Sequence, residues 1–189
     1  MKVETTPLEG LLLLRPKRFV DSRGHFSETY SSRVFAKQGI ELQFVQDNHS
    51  LSVNANTVRG LHFQAPPRAQ AKLVRCGHGA LFDVAVDIRN GSPTYGQWFG
   101  AELSSDNGIQ IFIPVGFAHG FITRAPDTEI VYKCSDYYAP ETEGALRFND
   151  PDIGINWGLD GTPAILSEKD AAAGSLADFD SPFTYERPS

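Results

Sequence analysis

Cysteine is scarce in this sequence. Cys76 and Cys134 are the only two in 189 residues. Each lies in an apolar, strand-like run, so buried free thiols are expected, with a disulfide between them left open at this level. Long apolar runs are also missing. Nothing approaches the roughly 20 residues of a membrane span, and Leu11 to Leu14 is shorter than the core of about 7–15 residues in a secretory signal. A soluble, cytoplasmic protein is expected. Basic charge is short as well: 17 Lys and Arg against 23 Asp and Glu give a formal net charge of -6. A general nucleic-acid binder would show a basic face, although a local Arg/Lys cluster can still hold a phosphate in an acidic protein. Repeats, low-complexity tracts and interdomain linkers are absent, so a single domain over residues 1–189 is expected.

Aromatic and turn residues are plentiful. Thirteen Phe and six Tyr favour strands, while 17 Gly and 12 Pro supply turns. Leu11–Leu14, Val58–Gln64, Lys72–Cys76, Leu81–Arg89, Ile109–Pro114, Gly120–Thr123 and Glu129–Tyr138 read as short strands. The Gly77-His78-Gly79 turn makes Lys72 to Arg89 read as a hairpin. Phe19 to Ser22 leads into a turn at Arg23-Gly24. A short helix from Ser31 or Ser32 through Gln38 would stop at Gly39, and a second is expected within Ser167–Leu176. The rhythm is that of a β-sandwich or barrel with small helical additions.

Side-chain alternation sorts the chemistry-bearing residues. In Val58–Gln64, His62 shares a face with Gly60 and Gln64, while Arg59, Leu61 and Phe63 take the other. Tyr132 aligns with Ile130 and Cys134, and Lys72 with Val74 and Cys76, so both point into any interior those apolar residues mark. In the strand from Leu81, Phe82, Val84, Val86 and Ile88 share one face and Asp83, Ala85 and Asp87 the other. Each polar residue has a plainer reading as a satisfied core or surface group. Asp170 in particular suits the third position of a capping box begun by Ser167.

Two segments are spaced as in cupin barrels. Gly108-x5-Pro114-Val115-Gly116-Phe117-Ala118-His119 matches the second cupin motif, with Thr123 at the usual Asn. The first motif is depleted: metal-binding cupins carry His-x-His and then Glu, whereas here His62 is followed by Phe63-Gln64 and Lys72 stands near the expected carboxylate. A metal needs several convergent donors, so no metal is expected. His119 is then expected to act as a hydrogen-bond donor.

The ordered set is similar to the dTDP-4-dehydrorhamnose 3,5-epimerase family of metal-free cupins. It comprises Asp21-Ser22-Arg23-Gly24-His25-Phe26-Ser27-Glu28, Gln46-Asp47-Asn48-His49-Ser50, Val58-Arg59-Gly60-Leu61-His62-Phe63-Gln64, Lys72-Leu73-Val74-Arg75 and Phe82-Asp83-Val84-Ala85-Val86-Asp87. Pro114 to Phe121, Tyr132 to Glu141, Asn149-Asp150-Pro151-Asp152 and Leu166-Ser167-Glu168-Lys169-Asp170 complete it. The match is collinear from about residue 5 to 176; the tail to Ser189 carries little of it. The resemblance implies a mainly β, cupin-type double-stranded β-helix (jelly-roll) barrel with short peripheral helices and no cofactor. It implies epimerisation of a dTDP-4-dehydro-6-deoxy-D-glucose at C3 and C5, with His62 as base, Asp170 orienting it, Tyr132 as acid and Lys72 on the enolate oxygen.

By the same resemblance Arg23 and Arg59 hold the pyrophosphate, and Gln46, Asn48, Glu28, Glu143 and Lys169 make further substrate contacts. His119 lies near the sugar, Tyr137 stacks on thymine, and Phe19 and Phe26 wall that pocket. A homodimer with exchanged strands is implied, Arg23 and Glu28 reaching the partner's site. Three rival readings stand beside this one: an epimerase of C3 or C5 alone, a metal-dependent cupin, and a non-catalytic sugar-nucleotide binding module. Retention of His62, Lys72, Tyr132 and Asp170 together argues against the last.

Overall fold

The computed structural model describes residues 1–187. The chain begins with β1 (Lys2–Thr5) and β2 (Leu12–Arg15), then a hairpin of β3 (Arg18–Asp21) and β4 (Gly24–Ser27), and a one-turn helix α1 (Ser32–Ala36). It continues through β5 (Gln46–Ser52), β6 (Val58–Gln64), β7 (Lys72–His78), β8 (Ala80–Asp87) and β9 (Trp98–Ser104). Then follow β10 (Gln110–Ile113), β11 (Phe117–Thr123), β12 (Thr128–Cys134), β13 (Glu143–Ala145) and a second short helix, α2 (Glu168–Ala171). Two sheets face each other, ordered β1-β2-β10-β7-β12-β5 and β13-β6-β11-β8-β9, with β3-β4 as a separate ribbon. This is the expected jelly-roll.

Three apolar layers hold it. Between the sheets, Val74, Cys76, Ile111, Ile113 and Ile130 meet Leu81, Ala85, Leu103, Phe117 and Phe121. The outer face of the five-stranded sheet buries Leu61, Phe63, Val84, Val86 and Ile122 under Leu146, Ile153, Trp157 and Phe183 of the later chain. On the other outer face Leu14, Leu73 and Phe112 pack against Phe35 and Ile40, in and after α1. Each full burial of such a side chain is worth about 1.5–3 kcal/mol. Because the five-stranded sheet is covered on both sides, its apolar stripe can face outward and leave part of its inner face polar.

Several expectations are corrected. β7 and β8 do not form a hairpin: β7 pairs with β10 and β12, and β8 with β11 and β9. Gly79 alone, at φ +75°, is the corner between the two sheets, and a Cβ there would lie 2.6 Å from Thr128 Oγ1. The turn signal was real, but a corner and a hairpin use the same residues. The helix from Ser167 stops at Ala171, because Gly174 forms a bridge with Leu146 and draws the chain out straight. α1 ends at Ala36 rather than Gln38, and the β3–β4 turn is Ser22-Arg23, one residue earlier than expected. Both cysteines are free and buried. β1, β4, β5, β9 and β13 had no counterpart in the sequence reading. The tail lays Leu176, Phe179 and Phe183 on the five-stranded sheet, with Thr184 bridged to Asn90; residues 188 and 189 lie outside the described residues.

Candidate active site

The site is set by an irregularity in β6. His62 lies opposite His119 of β11, but Arg59 lies opposite Phe121, so β6 holds one residue more than its partner over this stretch. Such a bulge shifts the side-chain alternation by one. Val58 and Leu61 both join the outer apolar layer, whereas Arg59 and His62 both line the cavity between the sheets. Strict alternation placed Arg59 opposite His62, and the bulge overturns that. Gly60 permits it with φ +120°; a Cβ there would sit 2.5 Å from Gly120 Cα and 2.7 Å from His119 O. Gly60→Ala is therefore expected to destabilise the fold by more than the roughly 1–3 kcal/mol of ordinary overpacking. A denaturant melt read beside activity should show both falling together.

The cavity is about 440 Å³. His62 and His119 stand on the five-stranded wall, Lys72 and Tyr132 on the six-stranded wall, and the start of α2 closes one end. His62 Nε2 meets Asp170 Oδ1 at 2.5 Å, although the two lie far apart in sequence. Ser167 Oγ donates to Asp170 Oδ2 at 2.9 Å and accepts from the Asp170 N–H at 3.1 Å. Asp170 is thus both the residue whose N–H Ser167 caps and the imidazole's partner. His62 Nδ1 has no partner among the described residues and is the ring nitrogen left for chemistry. His119 Nε2 lies 3.0 and 2.9 Å from the two oxygens of Asp83, which is fully buried. Asp83 was not singled out from sequence. The signal available was a carboxylate on the interior face of β8, where burial without a partner is costly.

Electrostatics follow from burial. Desolvation pulls the His62 imidazolium below its ordinary 6.5, and Asp170 only partly offsets this. Desolvation likewise lowers Lys72 from 10.5, with Cys134, its partner across β7 and β12, and Asp83 acting the other way. Lys72 Nζ forms no hydrogen bond or ion pair with the described residues. Tyr132 is pushed above 10.0 by burial and by Cys134, against an opposing bond from Asn48. At neutral pH the cavity presents a neutral imidazole and a phenol that keeps its proton.

Around the mouth, Lys169 Nζ pairs with Glu143 Oε2 at 2.5 Å, and the Tyr138 hydroxyl donates to the same oxygen at 2.9 Å. Burial works to raise the Glu143 pKa, but Lys169 and Tyr138 outweigh it and hold the carboxylate below 4.5. Asn48 lies opposite Tyr132 and donates to Cys134 Sγ at 3.6 Å. Gln46 donates to Asn48 Oδ1 and accepts from Tyr138 N. Tyr137 is exposed and is not among the residues that line the cavity. Arg59 is held by Ser52 Oγ at 3.2 Å and Leu51 O at 3.1 Å. Four further expected residues are not brought to this cavity within the chain. Arg23 pairs with Asp21, Phe19 and Phe26 project from the β3–β4 ribbon at 53% and 69% exposure, and Glu28 follows that ribbon on the surface. Among the described residues no three His, Cys, Asp or Glu side chains converge as a metal site would require.

Residues 5–178 match the family model described as dTDP-4-dehydrorhamnose 3,5-epimerase. The chain belongs to this family. The dTDP-4-dehydrorhamnose 3,5-epimerase of Sinorhizobium fredii is 50% identical over 98% of this chain and 94% of its own length. That of Salmonella typhimurium is 51% identical over 92% and 94%. A crystal structure of the Legionella pneumophila dTDP-6-deoxy-D-glucose-3,5-epimerase with dTDP-4-keto-L-rhamnose superposes with a TM-score of 0.94 at 43% identity, covering 98% and 99% of the two chains. The family match spans every residue of the cavity described above and stops inside the tail. No described helix is long and apolar enough to cross a membrane.

Proposed function

We propose that the chain epimerises dTDP-4-dehydro-6-deoxy-D-glucose at C3 and C5 to dTDP-4-dehydro-L-rhamnose. The observation that carries this reading is the placement of His62, paired to Asp170, on one wall and Tyr132 on the other, with Lys72 beside Tyr132. The C4 ketone acidifies the hydrogens on C3 and C5. His62 Nδ1 takes one of them, the Asp170 carboxylate accepts the Nε2–H and favours the resulting imidazolium, and the electron pair moves to the C4 oxygen. Lys72 faces that oxygen as its negative charge develops, the term that usually dominates such steps. Tyr132 returns a proton to the carbon from the opposite side, inverting it. Water then takes the proton from His62 and restores that of Tyr132, so the pair can act again at the second carbon, and no cofactor is required.

Arg59 binds the pyrophosphate, Lys169, Glu143 and Asn48 contact the substrate, His119 held by Asp83 lines the sugar end, and Tyr137 stacks on thymine beside Gln46. Arg23, Glu28, Phe19 and Phe26 serve the site of a second copy in a homodimer; their exposure on a projecting ribbon supports this. The chain forms a single domain over residues 1–189 and works in the cytoplasm.

Incubation with the substrate in D2O, followed by NMR of the sugar, tests the reading. Deuterium at both C3 and C5 is expected; label at one carbon would mark a single inversion, and none would overturn epimerisation. Tyr132→Phe is expected to keep some deuterium exchange on the His62 side while net inversion falls by about 10²-fold or more. Equal loss of exchange and inversion would remove Tyr132 from the acid's role.

A further inference from the structure

The chain between β12 and β13 is wrapped around one side chain. Gln64 ends β6, two residues after His62, and is 5% exposed. Its backbone lies across from Glu143, and Ala65 N donates to Thr142 O at 2.8 Å. Inside the loop closed in this way, the Gln64 carboxamide is fully used. Nε2 donates to Tyr137 O at 3.0 Å and to Arg68 O, and Oε1 accepts from Ala139 N at 3.0 Å. From the other sheet, Gln46 Oε1 accepts from Tyr138 N at 2.9 Å.

Residues 137–139 are thereby gripped by their backbone from both sheets, while the Tyr137 and Tyr138 rings stay 60% and 56% exposed. An exposed ring on an ordered backbone suits a flat ligand, because less ordering remains to be done on binding. Only an amide can make this set of bonds. A carboxylate would turn lone pairs toward two carbonyl oxygens, and an apolar side chain would leave the Ala139 N–H unpaired.

We propose that Gln64 is a positioning residue for the nucleotide end of the site. It fixes the Tyr137 backbone so that the ring stands ready for a pyrimidine, and it couples that ring to the strand carrying His62. This rests on the dTDP-sugar reading above. The test is Gln64→Met, which keeps the volume and removes the amide.

Titration with dTDP is expected to weaken by roughly tenfold, the scale of one base–aromatic stack. Inorganic pyrophosphate, which lacks the base, should bind the variant as it binds the wild type. KM should rise while kcat holds, and in a Tyr137→Ala background Gln64→Met should cost no further dTDP affinity. Unchanged dTDP affinity, equal losses for both probes, or a fall in kcat at unchanged KM would overturn the proposal. If the variant fails to fold, hydrogen exchange at the wild-type Ala139 amide decides. Slowing by dTDP supports the clamp, and indifference to dTDP overturns it. Deuterium entry into the sugar in the wild type is a separate check: its absence would sink the epimerase reading and leave the clamp to be judged on dTDP binding.

Discussion

Replacing His62 with alanine is expected to abolish deuterium entry at both C3 and C5 and to lower kcat/KM by about 10²–10⁴-fold, the range for a positioned general base. The cavity offers no equivalent substitute. His119 is the other imidazole, and its Nε2 is committed to both oxygens of Asp83. Asp170 reaches His62 and Ser167 from the end of the cavity. Folding should be little disturbed, since His62 is not part of the apolar layers. The pH dependence has a definite sign. Because burial holds the imidazolium below 6.5, wild-type kcat/KM should be flat at neutral pH and fall only below the ordinary histidine value. Stability linked to His62 has the same sense: complete above 6.5, and lost as pH falls through the lowered value. Full exchange in His62→Ala, in an NMR time course, would sink the assignment.

Lys72→Met should cost about 10²–10³-fold in kcat, the loss seen when one donor to a developing oxyanion is removed, with little change in KM because the ammonium meets charge that exists only during the reaction. The same variant should melt at a higher temperature. Lys72 is desolvated and lacks an ion-pair partner among the described residues, so its charge opposes folding, and an apolar side chain of similar length relieves that cost. The alkaline limb adds a second signature. Activity should decline as pH rises through the lowered Lys72 value, below 10.5, and this limb should vanish in Lys72→Met. Retained activity, or a lower melting temperature with activity lost, would count against the assigned role.

Most of the framework was legible because jelly-roll strands announce themselves by short apolar runs between glycines and prolines. The inward aim of Lys72 and Tyr132 followed from Val74, Cys76 and Ile130, which do line the inter-sheet core. What escaped was information spread over two strands. The extra residue at Gly60-Leu61 is visible only against β11, so one sequence could not reveal that Arg59 joins His62. Phe82 and Val84 were correctly grouped, but that their layer lies outside the sheet was not legible, because the tail that covers it carries no repeating pattern. β5 is polar except for Leu51 and shows no apolar alternation. The union of Asp170 with His62 rested on family likeness; the capping signal at Ser167 was sound locally and turned out to serve the same carboxylate.

The outward-facing apolar stripe of the five-stranded sheet has a consequence for how this protein can change. On β6, β8 and β11 the groups that do chemistry and the outer apolar layer occupy opposite sides of the same strands: His62 against Leu61 and Phe63, Asp83 against Phe82 and Val84, His119 against Ala118. Substitutions in the outer layer, where Phe63 meets Phe179 and Phe183, can therefore adjust thermal tolerance almost independently of the reaction. Substitutions at the polar, cavity-lining positions of the inner face can redirect which sugar is accepted while the outer layer holds, whereas Leu81, Ala85 and Phe117 on that face belong to the inter-sheet core. Adaptation to temperature and adaptation to substrate are open to selection as separate variables.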